Sequence, residues 1–311
     1  MKIIHQYINK LISNLPDNIK NVNTLSIQKL DLILDGGVFN GSYLIGALYF
    51  LKEMEKQRYI TIERVSACSI GSICGILYYV NSLDSFYKLY DIFCQDFKEN
   101  YHLKKIKELH MYLNEVIPVD FYKKVNKKFF VTYYNIKKRK KIVKSTYKNN
   151  DDIIETIIKS CFVPFLIDGT MSYKKKYIDG VNPYIFPAEK NSSKKILFLD
   201  LYGYDKINYM INVKNEKTNF HRILAGLLDI HCFYIKQSST SMCSYVNEWG
   251  CIALVYIQIK KIIEYTFIHF IYFVLLLQKW FPLELENSIF YKLISKIIYM
   301  CYSTLLDIYV F

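Results

Sequence analysis

The N-terminal part of the chain alternates between short apolar runs and amphipathic stretches. Residues 30–35, LDLILD, form an apolar run that ends at two glycines, and residues 41–57 then carry apolar side chains at helical spacing. The same order returns in residues 59–67, YITIERVSA, and residues 70–80, IGSICGILYYV. Strand, turn and helix in repeated succession predict an α/β domain whose sheet is largely parallel.

The pattern continues beyond residue 80 with a mixture of elements. Residues 84–125 have helical character, and residues 127–147 contain two β-rich runs around a basic segment, which is typical of a hairpin. Residues 151–161, DDIIETIIKSC, predict a helix with acidic residues in its first turn, where the helix dipole favours them. A loop-rich stretch at 163–187 precedes another predicted strand at 194–203.

These patterns divide the chain into four predicted regions. Residues 1–28 form a polar leader with a short helix, and residues 29–205 form the α/β core. Residues 206–250 are interpreted as a helical extension of that core. Residues 251–311 differ in texture, since they contain no glycine and one proline, and they predict an apolar helical region.

The C-terminal region leaves three alternatives open. Its most apolar part, YTFIHFIYFVLLL at 265–277, is shorter than the roughly 20 residues that a membrane span requires. The flanking residues extend it to a candidate transmembrane segment at about 262–281, with Trp280 beside Lys279 as in an interfacial belt. A buried helix of the domain and a helix lying on a membrane surface are the other two interpretations.

Composition and charge narrow the choice of partner. The chain is 52% hydrophobic and has a net charge of +13, from 41 Lys+Arg against 28 Asp+Glu. This composition excludes a disordered chain, and a basic surface favours nucleic acid or an anionic membrane as partner. The basic segments 137–141 and 174–176 are interpreted as solvated turns, because no nucleic-acid-binding motif accompanies them. We therefore expect no nucleic-acid partner.

Cysteine spacing and the N-terminal sequence predict the cellular compartment of the protein. The eight cysteines include no C-x-x-C pair and mostly lie in apolar runs, which favours free buried thiols in a reducing compartment. No Cys/His spacing typical of zinc occurs, and we predict neither a metal nor a cofactor. Polar residues interrupt the N-terminal apolar positions, so the pattern does not predict a secretory signal peptide. An intracellular location follows from both observations.

Glycines cluster where predicted strands meet predicted helices. Six of the 11 glycines fall between positions 36 and 75, and such junctions lie at the carboxyl ends of strands, where α/β proteins form their sites. The segment DGGVFNG at 35–41 has the features of an anion-binding turn at a helix N-terminus. Its spacing matches neither a Walker loop nor G-x-G-x-x-G. On its own, the segment fits either a purely structural turn or a site for a phosphate or a transient oxyanion.

The segment ACSIGS at 67–72 has the pattern of a nucleophile elbow. The residues two before and two after the serine of an elbow are small, because the turn brings strand and helix together, and here they are Ala67 and Gly71. Ser69 is thus a candidate nucleophile at a helix N-terminus, where negative charge is favoured. In an α/β-hydrolase order its partners are Asp179 and then His221 or His231, although both histidines lie in a predicted helix rather than a loop.

Three segments in order resemble the patatin-like phospholipases. DGGVFNGSYLIGAL at 35–48 is similar to the oxyanion loop of that family, and ACSIGS at 67–72 is similar to its serine elbow. SCFVPFLIDGTMSYKKKYIDGVNPYIFP at 160–187 is similar to the segment that carries the catalytic aspartate, with an S-x-x-x-P pattern, an Asp-Gly pair and a following Asn-Pro. The resemblance covers residues 30–200.

The resemblance implies a three-layer α/β/α fold and a catalytic dyad without histidine. Ser69 is the implied nucleophile and Asp179 the implied base. Asp179 is selected over Asp168, which begins the other Asp-Gly pair, because the family pattern places the catalytic aspartate after an aromatic-aliphatic strand and before Asn-Pro. The implied oxyanion hole comprises Gly36, Gly37, Val38 and Gly41. We expect a lipid substrate, and the basic composition and apolar C-terminal region then fit an enzyme that associates with an anionic membrane surface.

Four residues depart from the family pattern. Val38 stands where the family usually has a third glycine, and Asn40 where it often has Arg or Lys. Val181 replaces a small residue after Asp-Gly, and Ala67 replaces the first glycine of the elbow. Valine disfavours the positive φ that glycine allows. The alternative hypothesis is therefore a catalytically inactive membrane adaptor on the same scaffold.

Overall fold

A computed structural model describes residues 2–20, 27–188, 193–213 and 216–280, with residues 296, 300, 301, 303 and 304. Its strands are β1 (Gln28–Leu34), β2 (Ile60–Cys68), β3 (Phe129–Asn135), β4 (Lys140–Lys144), β5 (Tyr177–Asp179), β6 (Lys195–Leu199) and β7 (Cys243–Tyr245). Its α-helices are α1 (Lys2–Ser13), α2 (Asp17–Lys20), α3 (Gly41–Lys56), α4 (Ile70–Tyr79), α5 (Ser85–Asn100), α6 (Leu109–Asn114), α7 (Tyr122–Val125), α8 (Asn150–Ser160), α9 (Tyr204–Ile207), α10 (Phe220–Lys236) and α11 (Cys251–Trp280). Short 3₁₀ helices lie at Val38–Asn40, Lys104–Glu108 and Val246–Glu248.

All seven strands belong to one sheet in the order β4-β3-β2-β1-β6-β7, with β5 paired to β3. The central pairs β3–β2, β2–β1 and β1–β6 are parallel, and β4, β5 and β7 pair antiparallel at the periphery. The predicted α/β class with a mostly parallel sheet is confirmed. The parallel pairing places the carboxyl ends of β1, β2 and β6 at one edge.

The alternation of side chains along the strands explains the three layers. In β1, Leu30, Leu32 and Leu34 point into the large core formed with α3, α4 and α10, whereas Ile33 points to the opposite face. That second face is covered by Ile257 of α11. Both faces of the central strands are therefore buried, as a parallel sheet requires, and the predicted three-layer α/β/α arrangement is confirmed.

Helices α3 and α10 cross at two glycines. A Cβ on Gly46 would lie 1.9 Å from the carbonyl oxygen of Ile223, and one on Gly226 would lie 2.0 Å from that of Tyr43. Glycine at both positions permits this close approach of the two backbones. The crossing places α10, which lies beyond the predicted α/β core, against the helix that follows the Gly-rich turn.

Two short strands were not predicted from hydrophobic periodicity, although the family resemblance implied a strand before Asp179. β5 lies in the stretch that the sequence indicated to be loop, and β7 lies in the region interpreted as a helical extension. Each has three residues, which is too short for alternation to be recognised. Residues 21–26 of the predicted leader lie outside the described residues.

The candidate transmembrane segment at 262–281 is wrong. Among the described residues, no helix is both long enough and apolar enough to cross a membrane. α11 has 30 residues, but charged residues at 260, 261 and 264 interrupt it, and charge is costly inside a bilayer. Ile268 and Ile271 instead pack on β5 and the β3–β4 hairpin. Residue 281 and most of those after it lie outside the described part of the chain.

Candidate active site

Ser69 occupies a sharp turn between β2 and α4. Its backbone has φ +50° and ψ −133°, a combination that non-glycine residues rarely adopt and that concentrates at functional sites. A Cβ on Gly71 would lie 2.5 Å from the carbonyl oxygen of Asp35, so the first turn of α4 packs directly on the end of β1. The strand–turn–helix geometry predicted for this segment is present.

A second serine holds the turn in place. The N–H of Ser69 donates to Ser160 Oγ at 2.9 Å, and the hydroxyl of Ser160 donates to the carbonyl of Thr132 at 2.6 Å. Both Ser160 and Thr132 are fully buried. Sequence reasoning did not assign this role to Ser160, although the residue is the serine of the quoted S-x-x-x-P pattern.

The sheet register brings Asp179 next to Ser69. On β3, Thr132 pairs with Cys68 of β2, and the next residue, Tyr133, pairs with Asp179 of β5. β5 thus occupies the position that β2 vacates where the chain turns at Ser69. Strand pairing therefore brings together two residues that are 110 positions apart in the sequence.

The carboxyl group of Asp179 is buried and partly unpaired. Oδ1 accepts a hydrogen bond from the N–H of Val181 at 2.7 Å, and the N–H of Asp179 itself donates to the carbonyl of Phe162. Oδ2 has no aligned hydrogen-bond partner among the described residues. The Ser69 hydroxyl is the neighbouring group, and it lies close enough to lower the pKa of the carboxyl by hydrogen bonding. Such contacts are often poorly aligned before a substrate binds.

Burial changes the acidity of this carboxyl. Removal from water raises the pKa of Asp179 to about 6, against the opposing effects of the Ser69 hydroxyl, the Val181 N–H and the charge of Lys141. The shift follows from the cost of a charge in a medium of low polarity. A carboxylate with this pKa is a stronger base than an exposed aspartate and is still mostly ionised at neutral pH.

The Gly-rich turn presents two free amide groups beside this pair. The N–H of Gly36 is engaged by Asp35 Oδ1 at 2.9 Å, and that of Gly41 donates to the carbonyl of Val38. The N–H groups of Gly37 and Val38 have no acceptor among the described residues. A Cβ on Gly36 would lie 3.1 Å from Ser69 Cβ, so this turn lies against the serine. Of the four residues predicted for this turn, Gly36 and Gly41 thus have engaged N–H groups, whereas Gly37 and Val38 have N–H groups with no acceptor among the described residues.

Comparisons with known proteins agree with this arrangement. The model of the family "Patatin-like phospholipase" matches residues 32–185, which contain the serine turn, the Gly-rich turn and Asp179. The chain carries a patatin-like phospholipase domain. Its similarity to the omega-hydroxyceramide transacylase of Homo sapiens is 26% identity over 161 residues, which cover 47% of this chain and 29% of the human protein. For the Mus musculus protein of the same name the values are 24% over 159 residues, 47% and 26%. The aligned part thus spans less than a third of either relative, and the family itself is one of lipid acyl hydrolases.

Two of the residues that depart from the family pattern have a backbone conformation that is unusual for their side chain. Val38 has φ +46° and Val181 has φ +62°, the left-handed region that favours glycine and that β-branched residues rarely enter. Valine is therefore accommodated at both positions without removing the unusual conformation. Each such residue costs on the order of 1–3 kcal/mol of strain, which the surrounding packing must offset.

The third departure, Asn40, is held by a buried arginine outside the patatin-like domain. Arg222 of α10 is fully buried, and its Nη1 donates to Asn40 Oδ1 at 2.9 Å. The guanidinium also pairs with Glu216 at 2.6 Å and donates to the carbonyl of Asn212. All these groups are mutually satisfied, as buried charges require. The Gly-rich turn is thus fixed from α10 at its helical end.

An apolar pocket of the patatin-like domain opens at Ser69. Its polar lining is small, and Ser69 itself is 8% exposed. The lining side chains come from the Gly-rich turn, α4, α5, the 3₁₀ helix at Lys104–Glu108 with the residue before it, and the segment that precedes β5: Val38, Phe39, Ile70, Ile73, Phe86, Tyr90, Phe93, Leu103, Ile106, Cys161, Val163, Leu166 and Ile167. Concave apolar surface next to a few polar groups is typical of a ligand site.

The other candidates from the sequence lie elsewhere. His221 pairs with Glu216, and the ring of His231 faces Phe50, and neither histidine hydrogen-bonds to Ser69 or Asp179. Asp168 accepts hydrogen bonds from Thr170 and pairs with Lys107 at the surface. Within the described residues, no group of three or more His, Cys, Asp or Glu side chains is arranged to hold a metal ion.

Proposed function

We propose that this protein is a lipid acyl hydrolase that cleaves carboxylic esters through an acyl-enzyme, with Ser69 as nucleophile and Asp179 as base. The observation that carries the proposal is the position of Ser69, in a strained turn at a helix N-terminus, next to a buried carboxyl and at the mouth of an apolar pocket. The patatin-like family to which residues 32–185 belong supports the same reaction class.

In the proposed acylation step, Ser69 Oγ attacks the ester carbonyl carbon while its proton passes to the Asp179 carboxylate. The carbonyl oxygen becomes an oxyanion that accepts hydrogen bonds from the N–H groups of Gly37 and Val38. Breakdown of the tetrahedral intermediate cleaves the bond to the alcohol oxygen, which takes the proton back from Asp179. The products of this step are the free alcohol and the Ser69 ester.

In the proposed deacylation step, a water molecule gives a proton to Asp179 and attacks the Ser69 ester. The tetrahedral intermediate collapses, Ser69 Oγ regains the proton and the carboxylic acid leaves. An alcohol in place of water would accept the acyl group instead, and the name of the two relatives, omega-hydroxyceramide transacylase, makes this a second candidate outcome. Product analysis with and without a long-chain alcohol distinguishes the two.

The direct test of the proposed function is release of fatty acid from phospholipid vesicles and of p-nitrophenol from acyl esters of graded chain length. The apolar lining of the pocket predicts a preference for uncharged acyl groups over charged ones, because burying a charge in apolar surroundings is costly. A fluorophosphonate that labels Ser69 would exclude the inactive adaptor. Absence of both labelling and hydrolysis would overturn the proposal.

The acidity of Asp179 predicts a pH dependence of the reaction. The base must be deprotonated to accept the serine proton, so activity is lost as the pH falls through the pKa of Asp179, which burial raises to about 6. We therefore expect a step near pH 6 in kcat/KM measured with a soluble ester. A step near 4, the value of an exposed aspartate, would contradict the assignment of the buried carboxyl as base.

We propose an anionic membrane surface as the partner that presents the lipid. One face of α11 exposes apolar side chains at helical spacing: Ile252, Val255, Ile259, Ile262, Ile263, Phe270 and Phe273. The exposed basic turn at 137–140 lies beside this helix, since the Arg139 guanidinium is 5.1 Å from the ring centroid of Tyr272. Apolar side chains next to clustered cations are complementary to an interface with anionic head groups.

Neutralising the basic turn is expected to weaken membrane binding. With Lys137, Lys138, Arg139 and Lys140 all changed to Gln, we expect binding to vesicles of phosphatidylcholine and phosphatidylserine to fall by about 10²-fold or more, given about 1 kcal/mol per basic residue near the surface. The measurement is co-sedimentation at physiological salt.

The matched control changes four other exposed lysines to Gln. They lie at the opposite end of β3, at positions 123, 124, 127 and 128. This control is expected to bind vesicles nearly as well as the unaltered protein. Equal losses in both variants would indicate an effect of net charge alone. Binding to RNA or DNA with the same loss in the 137–140 variant would assign the turn to nucleic acid instead.

A further inference from the structure

A buried lysine of α11 lies between the ends of two central strands. Lys260 is 7% exposed, and its Nζ donates to Asp35 Oδ2 and, at 3.3 Å, to Asp200 Oδ1. Asp35 directly follows β1 and Asp200 directly follows β6, and these strands are parallel neighbours. Lys260 therefore links the carboxyl ends of β1 and β6, beside the Gly-rich turn.

Asp35 links this lysine to the amide groups of the turn. Its Oδ1 accepts the hydrogen bond from the N–H of Gly36, and its own N–H donates to the carbonyl of Leu199. The residues that follow Gly36 are Gly37 and Val38, whose N–H groups have no acceptor within the part of the chain that the structure describes. The Asp35 carboxylate is thus hydrogen-bonded to the start of the peptide segment that lies against Ser69.

The ammonium group is enclosed rather than merely near a surface. The rings of Phe198, Tyr202 and Tyr256 surround Nζ, with centroids 5.2, 4.5 and 5.7 Å away. Rings at such distances attract a cation. One turn further along α11, Glu264 accepts hydrogen bonds from Asn182 and from Lys141. α11 therefore contacts both the Gly-rich turn and the segment that follows Asp179.

We propose that Lys260 is a positioning residue for the reaction, which acts through Asp35 to hold the N–H groups of Gly37 and Val38 toward Ser69. This inference rests on the proposed function of the Gly-rich turn as oxyanion hole. Lys260 lies beyond residues 32–185, the part that the family model matches. Under this proposal, the active site of the patatin-like domain depends on a residue of α11, a helix that lies outside the part matched by the family model.

The energetics of the buried cluster formed by Lys260, Asp35 and Asp200 favour a role in positioning the Gly-rich turn over a role in stabilising the fold. Burying an ammonium and two carboxylates costs several kcal/mol per ion, and apolar residues of similar volume are often equally or more stabilising. Three of the four helix positions next to Lys260 and Lys261 are isoleucine, at 259, 262 and 263, so the local sequence context favours an apolar residue here too. A charged residue at this position fixes one orientation of Asp35, which an apolar side chain cannot do.

Two carboxylates that share one cation compete for it. Burial raises the pKa of Asp35 to about 7, with Lys260 opposing the shift and Asp200 adding to it. Burial also opposes ionisation of Asp200, but Lys260 and hydrogen bonds outweigh it and lower the pKa of that carboxyl. The remaining titratable groups that face the cluster are Cys68, Tyr202 and Tyr256.

These three groups carry no charge at working pH. Burial is the main cause that raises the pKa of Cys68, Tyr202 and Tyr256 above their ordinary values, so each stays protonated. Among the described residues, the charge at this position is therefore set by Lys260, Asp35 and Asp200. Protonation of Asp35 removes its charge pairing with Lys260, which predicts a second step near pH 7 in the activity profile.

The first experiment compares Lys260→Met with Lys261→Met, a change at the adjacent, exposed lysine. Loss of oxyanion stabilisation costs about 10²–10³-fold in kcat, so we expect Lys260→Met to lower kcat by about 10²-fold with KM within about threefold. Lys260→Arg keeps the charge and is expected to recover part of kcat. Lys261→Met is expected to behave like the unaltered protein.

The second experiment uses Asp200→Asn and stays informative if Lys260→Met does not fold. Asn keeps an acceptor for the Tyr202 N–H, which Asp200 Oδ1 accepts at 2.9 Å, but it leaves Lys260 to Asp35 alone. The neutral amide no longer adds a negative charge beside Asp35, a charge that raises the pKa of Asp35, so we expect the step near pH 7 to move to lower pH while kcat at pH 8 is kept. A role in folding stability alone would not move this step.

The outcomes separate the two proposals. An unaltered protein that hydrolyses esters, together with a folded Lys260→Met variant whose kcat is within twofold of it, would overturn the role of Lys260 only. An unmoved pH step in Asp200→Asn would do the same. An unaltered protein that neither hydrolyses esters nor reacts with a fluorophosphonate would overturn the proposed function, and this inference with it.

Discussion

Ser69→Ala and Asp179→Asn are each expected to abolish most of the esterase activity of this protein. Loss of a serine nucleophile removes the acyl-enzyme route and costs on the order of 10⁴-fold or more in kcat. Loss of the base costs about 10²–10⁴-fold. Asn is close to Asp in shape and can keep the hydrogen bond from the Val181 N–H, so the loss in Asp179→Asn reports proton transfer. The measurement is kcat on a p-nitrophenyl ester, with circular dichroism as a check of folding.

The chain supplies its own control for the aspartate. Asp168 also begins an Asp-Gly pair, but it lies at the surface with Lys107 and Thr170. Asp168→Asn is expected to leave kcat within about twofold. If Asp168→Asn and Asp179→Asn lost activity equally, or if Ser69→Ala kept its activity, the assignment of the dyad would be wrong.

The part of the site that the sequence predicted is local. The apolar runs before Gly36 and Ser69 identified two strands, and the small residues Ala67 and Gly71 indicated the turn between strand and helix. These features depend on neighbours within a few residues, which periodicity and turn chemistry describe. The family resemblance supplied Asp179, and pairing of β5 to β3 gives the physical reason why this aspartate lies beside the serine.

The residues that the sequence did not predict act across long separations. Lys260 is 225 positions from Asp35, and Arg222 is 182 positions from Asn40. A lysine within an apolar helix and an arginine at a helix start have no local pattern that names their partners. The sequence offered one hint, since both are charged residues in apolar surroundings, and such residues are rarely buried without a pair.

The wrong prediction of a transmembrane segment shows a related limit of predicting a helix's surroundings from the hydrophobicity of its sequence. An apolar run gives the total number of apolar side chains but not the sides of the helix on which they lie. In α11, Ile257, Ile268 and Ile271 pack on the domain, and Lys260 and Glu264 point to the strand ends. The long apolar run of α11 thus combines side chains from two faces of the helix. Only one of these faces packs on the core of the domain.

Gly71→Ala is expected to disrupt the geometry around Ser69. The added Cβ would lie 2.5 Å from the carbonyl oxygen of Asp35 and 2.8 Å from that of Leu34. Both atoms belong to the backbone at the end of β1, so α4 and β1 must move apart. Overpacking of this kind costs about 1–3 kcal/mol, and a displacement of about 1 Å at a reacting group costs about 10²-fold in rate. We expect lower kcat, a lower Tm and slower labelling of Ser69 by a fluorophosphonate.

Ala67→Gly tests the other side of the same turn. It restores the glycine that the patatin-like pattern has at this position, and it places no new atom against a neighbour. Glycine in a strand costs roughly 0.5–1 kcal/mol relative to alanine, so we expect a slightly lower Tm and a kcat within about threefold of the unaltered protein.

Gly250→Ala, where a Cβ would meet nothing within 4 Å, controls for the change from Gly to Ala itself. Unchanged kcat in Gly71→Ala would mean that close packing of α4 on β1 does not set the position of Ser69, whereas loss in both Gly71→Ala and Ala67→Gly would mean that the turn tolerates change on neither side.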